Sequence, residues 1–227
     1  DVHASIVVGA DGASSIIRRA LFPDKKPYKY VSIQEWYDLP GEKLPVFSCI
    51  YDDKTSDSCS WTIIKGESFI FGGAFKKNGC RDAFIEQKSR LEKHYGITFG
   101  KVKKREACLV VSPRRKADFF IGEDGAYLVG EAAGFISPSS FEGISYAMLS
   151  GKLLADAFAK GRAYKDVQAI YRKNTRSLRG KLRLKSVKRA LLCNPFIRKM
   201  IMKSGIQSIC PYKKEKKSDQ LELCNLK

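Results

Sequence analysis

The sequence lacks the patterns that are typical of a metal or thiol centre. Its seven cysteines are scattered over 227 residues without a C-x-x-C pair, and the only histidines are His3 and His94. Neither histidine has another histidine or a cysteine at ligand spacing, so a zinc site, a reactive dithiol and a histidine triad are not predicted. Scattered thiols in odd number are typical of reduced structural cysteines. We therefore expect a cytoplasmic protein without a bound metal.

Long apolar runs and leader segments are also missing. No run of 18 apolar residues occurs, which argues against a membrane-spanning helix. The sequence starts at Asp1 without a methionine or a leader and enters a predicted strand almost directly. A content of 44% apolar and 29% charged residues is that of a globular protein. We expect a folded fragment of a longer protein.

Acidic residues are scarce at the carboxyl end. Residues 167–227 hold 17 Lys and Arg but only 3 Asp and Glu, and no acidic residue occurs between Val167 and Lys214. The formal net charge of +18 is therefore essentially a property of this tail. Such a surface attracts anionic partners.

Hydrophobic periodicity and turn residues predict a chain of both strands and helices. Strands are predicted near residues 4–8, 29–37, 46–51, 59–65, 68–75, 104–112 and 125–130, the four from 29 to 75 forming an antiparallel meander. Helices are predicted near residues 13–21 and 81–95 and from after Pro138 to about Lys160. The tail from Tyr164 is predicted to form helices broken at Gly180, Pro195 and Gly205.

The stretch VVGADGASSIIRR, residues 7–19, joins an apolar strand to a helix through a turn with an acid at its apex. Gly9 and Gly12 permit backbone conformations or close approaches that a Cβ would block. Ser14 or Ser15 can cap the helix, and its arginines lie near the end where cations are favoured. Such a turn suits a polar ligand at a helix N-terminus. The alternative is an ordinary turn in which Asp11 hydrogen-bonds its own loop.

A second stretch, from Ala126 to Ala147, repeats this order of strand, glycine, acid and helix. The residues after Glu131 are small, so a ligand can approach the backbone closely. Pro138 fixes the turn, and Gly143 lies near the start of a helix whose free N–H groups face the loop. Two such elements, about 120 residues apart with a β-rich insert between them, point to one ligand site more strongly than either alone.

These two stretches resemble the "GADG" and "GD" elements of FAD-dependent oxidoreductases of the aromatic-hydroxylase fold. The geranylgeranyl reductase-like branch is the closer match, because Gly134 stands where hydroxylases usually have His. Phe135, Pro138 and the run Glu142-Gly143-Ile144 match the continuation of that element. Trp61, Lys65 and Gly66 also match part of the branch's Y-x-W-x-F-P-K-G motif. The resemblance spans about residues 4–160.

The resemblance implies FAD as cofactor, with NAD(P)H a candidate electron donor. Asp11 would lie near the ribityl–pyrophosphate region, Glu131 would bind a ribityl hydroxyl, and the helix starting at Gly143 would face the pyrimidine end of the flavin. Phe141 departs from the family, which usually has Gly there, and with Trp61 it is a candidate for the substrate pocket. The full set of predicted cofactor-binding residues is Gly9, Asp11, Gly12, Gly130, Glu131, Ala132, Pro138, Gly143 and Ile144.

No G-x-G-x-x-G occurs, although the family binds the ADP half of FAD with that element. We expect roughly 100 residues with this βαβ unit to precede Asp1. The predicted fold is α/β: a partial Rossmann-like FAD-binding domain with an inserted antiparallel substrate domain. The FAD-binding domain is predicted to comprise residues 1–28 and 103–160, and the β-rich substrate domain residues 29–102. Residues 161–227 are predicted to form a basic helical region.

Three classes of function are open at this point. The first is an FAD-dependent reductase or dehydrogenase of a lipophilic, isoprenoid-like substrate. The second is a flavin monooxygenase, which Gly134 disfavours, and the third is a non-enzymatic basic binding module or inactive remnant. No catalytic acid or base is assigned: Tyr146, Cys59 and Ser137 are candidates, but packing or loop roles fit them better. Trp61 is either a pocket wall or an ordinary aromatic on a sheet face.

The basic tail has three interpretations. Tyr171, Leu178 and Leu182 can share one apolar face, and Leu184, Val187 and Leu191 another. Apolar stripes usually dock onto a core, with a solvated basic outer face. Nucleic acid is not favoured as a partner, because no recognition motif accompanies the charge. An anionic bilayer suits the tail better, and we expect residues 167–214 to hold the protein reversibly on the inner face of the membrane.

Overall fold

The structure is a computed structural model that describes residues 3–41 and 44–204. Its strands are β1 (Val7–Gly9), β2 (Lys29–Asp38), β3 (Phe47–Ile50), β4 (Ser60–Lys65), β5 (Ser68–Phe75), β6 (Lys104–Val111), β7 (Gly122–Glu123) and β8 (Ala126–Leu128). Its α-helices are α1 (Ile16–Leu21), α2 (Cys80–Tyr95), α3 (Ile144–Phe158), α4 (Tyr164–Asn174), α5 (Arg176–Cys193) and α6 (Pro195–Ser204). The predicted α/β fold class, with an antiparallel sheet and helices, is confirmed.

The smaller sheet brings the two glycine–acid stretches together. Its strand order is β1-β8-β7, and β1 is parallel to β8, with Val7 beside Ala126 and Gly9 beside Leu128. The carboxyl ends of parallel neighbours meet at one edge of a sheet, where ligands usually bind in α/β folds. The loops after Gly9 and Leu128 therefore lie next to each other.

The larger sheet is antiparallel and has the strand order β3-β4-β5-β2-β6. The predicted meander is wrong for β2, which lies between β5 and β6 and is not a neighbour of β3. α2 covers one face of this sheet, where Phe84 stacks on Phe71 with ring centroids 5.0 Å apart. β6 pairs with β2 in this sheet, although the sequence assigned residues from 103 onward to the first domain. The domain boundaries as such stay predictions.

The observed bounds of the strands and helices differ most from the predicted ones near turns and residues with a positive φ. The predicted strand 4–8 is reduced to Val7–Gly9, and α1 is preceded by a short 3₁₀ turn over Gly12–Ser14. Ser15 caps α1 by accepting a 2.9 Å hydrogen bond from the Arg18 N–H. α3 begins only at Ile144, because Phe141 has a φ of 55° that no α-helix accommodates. β7 was not predicted.

The first half of the tail is part of the folded body. Tyr171 of α4 and Leu178 and Leu182 of α5 are buried in one core cluster with β8 and α3, as their common apolar face indicates. The predicted break at Gly180 is wrong, because α5 continues through it from Arg176 to Cys193. The break at Pro195 is present, and Gly205 lies outside the described residues.

Candidate functional site

The site begins with the loop after β1, where two glycines have different reasons to be glycine. A Cβ at Gly9 would lie 2.6 Å from Leu128 Cδ2 and 2.9 Å from Ile17 Cβ, so close packing requires it. Gly12 has a φ of 70°, and nothing lies within 4 Å of the place where its Cβ would be. Gly12 therefore leaves open space in front of the loop, which Gly9 does not.

Asp11 is exposed, and its carboxylate accepts a 2.6 Å hydrogen bond from the Ile16 N–H. Partial burial acts to raise its pKa, but hydrogen bonds from Ser15 and Ile16 outweigh this and lower the pKa. The carboxylate is thus ionised at the N-terminal end of α1. This contact matches the alternative in which Asp11 bonds its own loop, and its predicted role toward a cofactor stays a prediction.

Glu131, in the loop after β8, reaches across to the larger sheet. Its Oε1 accepts a 2.7 Å hydrogen bond from the Val111 N–H at the end of β6. Burial raises the pKa of Glu131, although Val111, Arg18 and Lys29 act in the opposite direction. Within the described residues Oε2 has no hydrogen-bond partner, so it is available for a ligand.

Arg18 joins the two loops, a role that the sequence did not indicate. It lies in the last turn of α1, as expected, but its side chain is buried and points back toward the loop before the helix. Its guanidinium donates to the carbonyl oxygens of Ala13 at 2.5 Å, Ala132 at 2.8 Å and Glu131 at 3.3 Å. The sequence offered one signal for this role. Long side chains of a helix point toward its N-terminus, and Arg18 is only three residues after the capping serine, so its side chain reaches the loop before the helix.

Between the two loops, the larger sheet and α5 lies a cavity of about 880 Å³. Seven of the predicted site residues line it: Gly12, Gly130, Glu131, Gly143, Ile144, Trp61 and Phe141. The other four do not, and they are Gly9, Asp11, Ala132 and Pro138. Ala132 and Pro138 are buried in the protein itself.

The N-terminus of α3 opens into this cavity. Gly143, Ile144 and Ala147 line it, and they belong to the first turn of a 15-residue helix or directly precede it. The first N–H groups of a helix and its dipole favour negative charge at such an end, and the exposed Glu142 carboxylate already accepts a 3.2 Å hydrogen bond from the Ser145 N–H. The helix thus offers a site for an anionic or electron-rich group at the cavity wall.

Two aromatic residues of the cavity wall, Trp61 and Phe141, have fixed surroundings. Trp61 donates its indole N–H to Gln34 Oε1 at 3.0 Å and packs over Gly72, where a Cβ would lie 2.7 Å from Nε1. Phe141 contacts Tyr30 edge-on, with ring centroids 5.6 Å apart, and keeps a left-handed φ of 55°. A bulky residue at such a φ is strained, which gives a physical reason for the glycine usual in the resembling family.

The three acid–base candidates differ in their surroundings. Cys59 lines the cavity, donates to the Ser139 carbonyl at 3.4 Å, and has its pKa raised to about 12 by burial, so it is a thiol at neutral pH. Ser137 is buried and bonded to Ser140 at 2.9 Å, and Tyr146 packs with the core beneath α3. None of the three therefore has the features of a general base.

Gly134 is glycine for a steric reason. Its φ is 83°, and a Cβ would collide with the Asp118 carbonyl oxygen. Any side chain would have to move that backbone. The residue type at this position is therefore set by the fold and says less about the reaction than the family resemblance suggested.

Two residues of α5, Lys188 and Leu192, complete the cavity wall. α5 is fastened there by Arg189, which bonds Tyr30 Oη, the Asp57 carbonyl at 3.1 Å and the Asp57 carboxylate at 3.5 Å. Ser186 Oγ adds a 2.9 Å hydrogen bond to the Pro113 carbonyl. Sequence analysis did not assign α5 to the site, because these contacts join residues that are 73 or more positions apart in the sequence.

Neither a metal centre nor a membrane-crossing helix is found in the part of the chain that the structure describes. No three His, Cys, Asp or Glu side chains within residues 3–41 and 44–204 are arranged to hold a metal ion. None of the described helices has the length and apolarity to cross a membrane.

No protein-family model matches the chain. Curated relatives are Protein CbrA of Escherichia coli O6:H1 and of Escherichia coli O157:H7, each 45% identical over 210 residues and 92% of this chain. The match covers 56% and 58% of those two proteins. The chain thus spans a little over half the length of these relatives.

Three solved structures are similar over most of this chain. A geranylgeranyl bacteriochlorophyll reductase-like protein of Thermoplasma acidophilum gives a TM-score of 0.66 at 19% identity, over 87% of this chain and 51% of that one. PqsL of Pseudomonas aeruginosa, a probable FAD-dependent monooxygenase, gives 0.59 at 16%, over 86% and 57%. Klebsiella pneumoniae HpxO, complexed with FAD and uric acid, gives 0.56 at 16%, over 88% and 55%.

The chain has the fold of these proteins. At such low identity the likeness concerns the fold alone. It agrees with the fold that the two glycine–acid stretches implied, because the three similar structures include a geranylgeranyl reductase-like protein.

Proposed function

We propose that this protein is an FAD-dependent oxidoreductase that holds the flavin half of its cofactor in the cavity of about 880 Å³. The observation that carries the proposal is the meeting of two glycine–acid loops and the N-terminus of α3 around one cavity. HpxO, a protein of the same fold, is known in complex with FAD. When bound, the flavin would supply hydride chemistry.

The residues fit a flavin in three respects. Gly12 leaves open space where a side chain would stand. The Oε2 atom of Glu131 is available to accept a hydrogen bond from a ribityl hydroxyl. The first turn of α3 would stabilise negative charge on the pyrimidine end of the ring. Asp11, which does not line the cavity, would act by holding its loop at the start of α1 through the hydrogen bond from the Ile16 N–H.

The ADP half has no G-x-G-x-x-G in this sequence, and we propose that a further βαβ unit of the whole protein holds it. The small sheet offers a place for such a unit. In the described structure β1 is an edge strand, and apolar side chains of β1 and of the neighbouring α1 are exposed, including Val7 at 37%, Val8 at 46% and Ile16 at 67%. A parallel strand added to β1 would cover part of this surface.

The favoured reaction is reduction or dehydrogenation of a lipophilic substrate, because the cavity wall opposite the loops is apolar. A monooxygenase is the second candidate, since PqsL shares the fold and Gly134 is explained by sterics. The full-length protein should be yellow, with a flavin absorption band. A colourless protein that binds no added FAD would leave only the non-enzymatic alternative. NAD(P)H consumption without peroxide would favour the reductase over the monooxygenase.

Replacing Glu131 with alanine should weaken FAD binding. Loss of one charge-assisted hydrogen bond costs about 1.5–3 kcal/mol, or roughly a 10- to 150-fold rise in Kd. The Kd is measured by flavin fluorescence titration of the full-length apoprotein. Asp11→Ala should act in the same direction.

The Glu131→Ala variant also loses the bond to Val111, so its unfolding midpoint must be measured beside its Kd. Glu131→Gln keeps an acceptor for Val111 and serves to separate the two effects. Glu123→Ala removes an exposed acid elsewhere in the smaller sheet and is the matched control. An unchanged Kd in a folded Glu131→Ala variant would contradict the assignment.

We also propose that α5 and α6 contact an anionic bilayer. Their outer side exposes apolar residues among basic ones, while the inner side of α5 is docked on the core. The exposed apolar residues are Leu184, Val187, Leu191, Phe196 and Met200. This surface combines apolar insertion with attraction to acidic headgroups, each Lys or Arg contributing about 1 kcal/mol.

Sedimentation with liposomes tests this contact. Binding should require anionic lipid and fade as salt rises. The double change Val187→Ser and Phe196→Ser should lower partitioning at least about tenfold, because insertion of an aromatic and a branched side chain is lost. Ile85→Ser on α2, where Ile85 is 55% exposed, is the control. Equal binding to neutral vesicles, or none at low salt, would refute the proposal.

A further inference from the structure

α5 contributes one apolar and one cationic residue to the cavity wall. Leu192 is buried at 3% exposure, whereas Lys188, one turn earlier on the same side, is exposed and therefore stands at the cavity mouth. The contacts of the next residue, Arg189, with Tyr30 and Asp57 fix the position of this turn of α5. Lys188 is thus held in place at the opening by its neighbour on the helix.

None of the described residues compensates the charge of Lys188. Within the described residues it makes no ion pair and no hydrogen bond, whereas Arg189 pairs with Asp57 and Arg198 with Asp53. Residues 167–214 hold no carboxylate that could pair with it. A cation left unpaired at a cavity mouth is available for an anionic group that enters from outside.

The cavity has one other charged lining residue among those described, Glu131 at the loop end, and its carboxylate already bonds Val111. The rest of the lining is largely apolar and includes Phe47, Trp61 and Ile63. A molecule that fills this space would therefore need an apolar body with negative charge at one end only, the end toward the mouth.

We propose that Lys188 determines head-group specificity: the cavity accepts an amphiphile whose apolar body lies along the aromatic wall and whose acidic head, a carboxylate or a phosphate, pairs with Lys188. The inference rests on the proposed function, which places the flavin at the loop end and leaves the mouth for substrate. It goes beyond that function by naming the charge of the substrate and the residue that selects it.

Three probes with one apolar chain test this: farnesyl monophosphate, farnesoic acid and farnesol. Their binding to the full-length holoprotein is measured by calorimetry below micelle-forming concentrations. At low salt the wild type should bind at least one of the two anions about tenfold more tightly than the alcohol, as expected for a charge-assisted contact at a partly open site. Which anion binds more tightly distinguishes phosphate from carboxylate recognition.

Lys188→Met keeps the length of the side chain and removes its charge, so the preference for the anion should fall to within about twofold while farnesol binding is kept. Lys181→Met, two turns earlier on the same helix and outside the cavity lining, should keep the full preference. Raising the salt concentration should weaken the wild-type preference.

Several results would overturn the proposal. They are equal binding of all three probes to the wild type, no binding of any of them, a preference that persists in Lys188→Met, and loss of farnesol binding in that variant. Flavin content is measured in parallel: a wild type without flavin that still prefers the anion would refute the proposed function alone. A flavin-containing protein without the preference would refute only the role of Lys188.

Discussion

Replacement of Arg18 with methionine is expected to lower the free energy of unfolding by about 3–5 kcal/mol, more than any other single substitution in the two glycine–acid loops. The guanidinium donates to carbonyls of both loops, Ala13 on one side and Glu131 and Ala132 on the other. Methionine fills similar space but removes the Arg18 donor from the Ala13 and Ala132 carbonyls, whereas the Glu131 carbonyl keeps a hydrogen bond from the Gly134 N–H. Under the proposed function, the flavin content of the full-length protein should fall as well, because the two loops are then no longer joined.

Urea unfolding of the variants measures this effect. Arg18→Lys should be intermediate, since an ammonium does not span three carbonyls in a planar fork. Arg19→Met is the matched control: the Arg19 side chain is exposed and bonds only the Ser14 carbonyl, so a loss within about 0.5–1 kcal/mol is expected. Equal stability of the Arg18→Met and Arg19→Met proteins would contradict the structural role of Arg18.

Replacement of Gly134 with alanine should destabilise the protein by about 2–4 kcal/mol. The backbone there is left-handed, and the added methyl group would collide with the Asp118 carbonyl, which cannot rotate away as a side chain could. The free energy of unfolding is again the measured quantity. A loss of this size would show that the fold requires glycine at this position.

Gly180→Ala is the control for this second prediction and has the opposite expected sign. Gly180 lies inside α5 with nothing within 4 Å of its missing Cβ, so alanine should stabilise the helix by up to about 1 kcal/mol. A Gly134→Ala protein as stable as the wild type would show that the loop after β8 adjusts freely, and Gly134 would regain its value as a marker of the reaction.

Much of the fold follows from local sequence signals. β2, β4, β5 and α2 lie within one or two residues of their predicted bounds, because alternating or helical apolar patterns and turn residues define them. The two glycine–acid turns were visible as strand–loop–helix units, and their repetition predicted one shared site. These features depend on neighbours in the chain, so the sequence alone determined them.

Tertiary structure decided what depends on distant residues. The place of β2 between β5 and β6 is a matter of strand pairing, which a local pattern does not encode. Arg18 reads as an ordinary helical cation until its guanidinium meets carbonyls 113 and 114 positions away. Glu131 likewise reads as a ligand residue, whereas its bond to Val111 joins the second loop to the larger sheet.

The tail shows the same division most clearly. Its charge, its apolar faces and its helical character are sequence properties, and the buried face of Tyr171, Leu178 and Leu182 was predicted correctly. That α5 is also a wall of the cavity depends on the anchoring of Arg189 to Tyr30, 159 positions away. Periodicity indicates which residues face inward, but only packing determines what they face, and so Lys188 came to the cavity mouth through the fold.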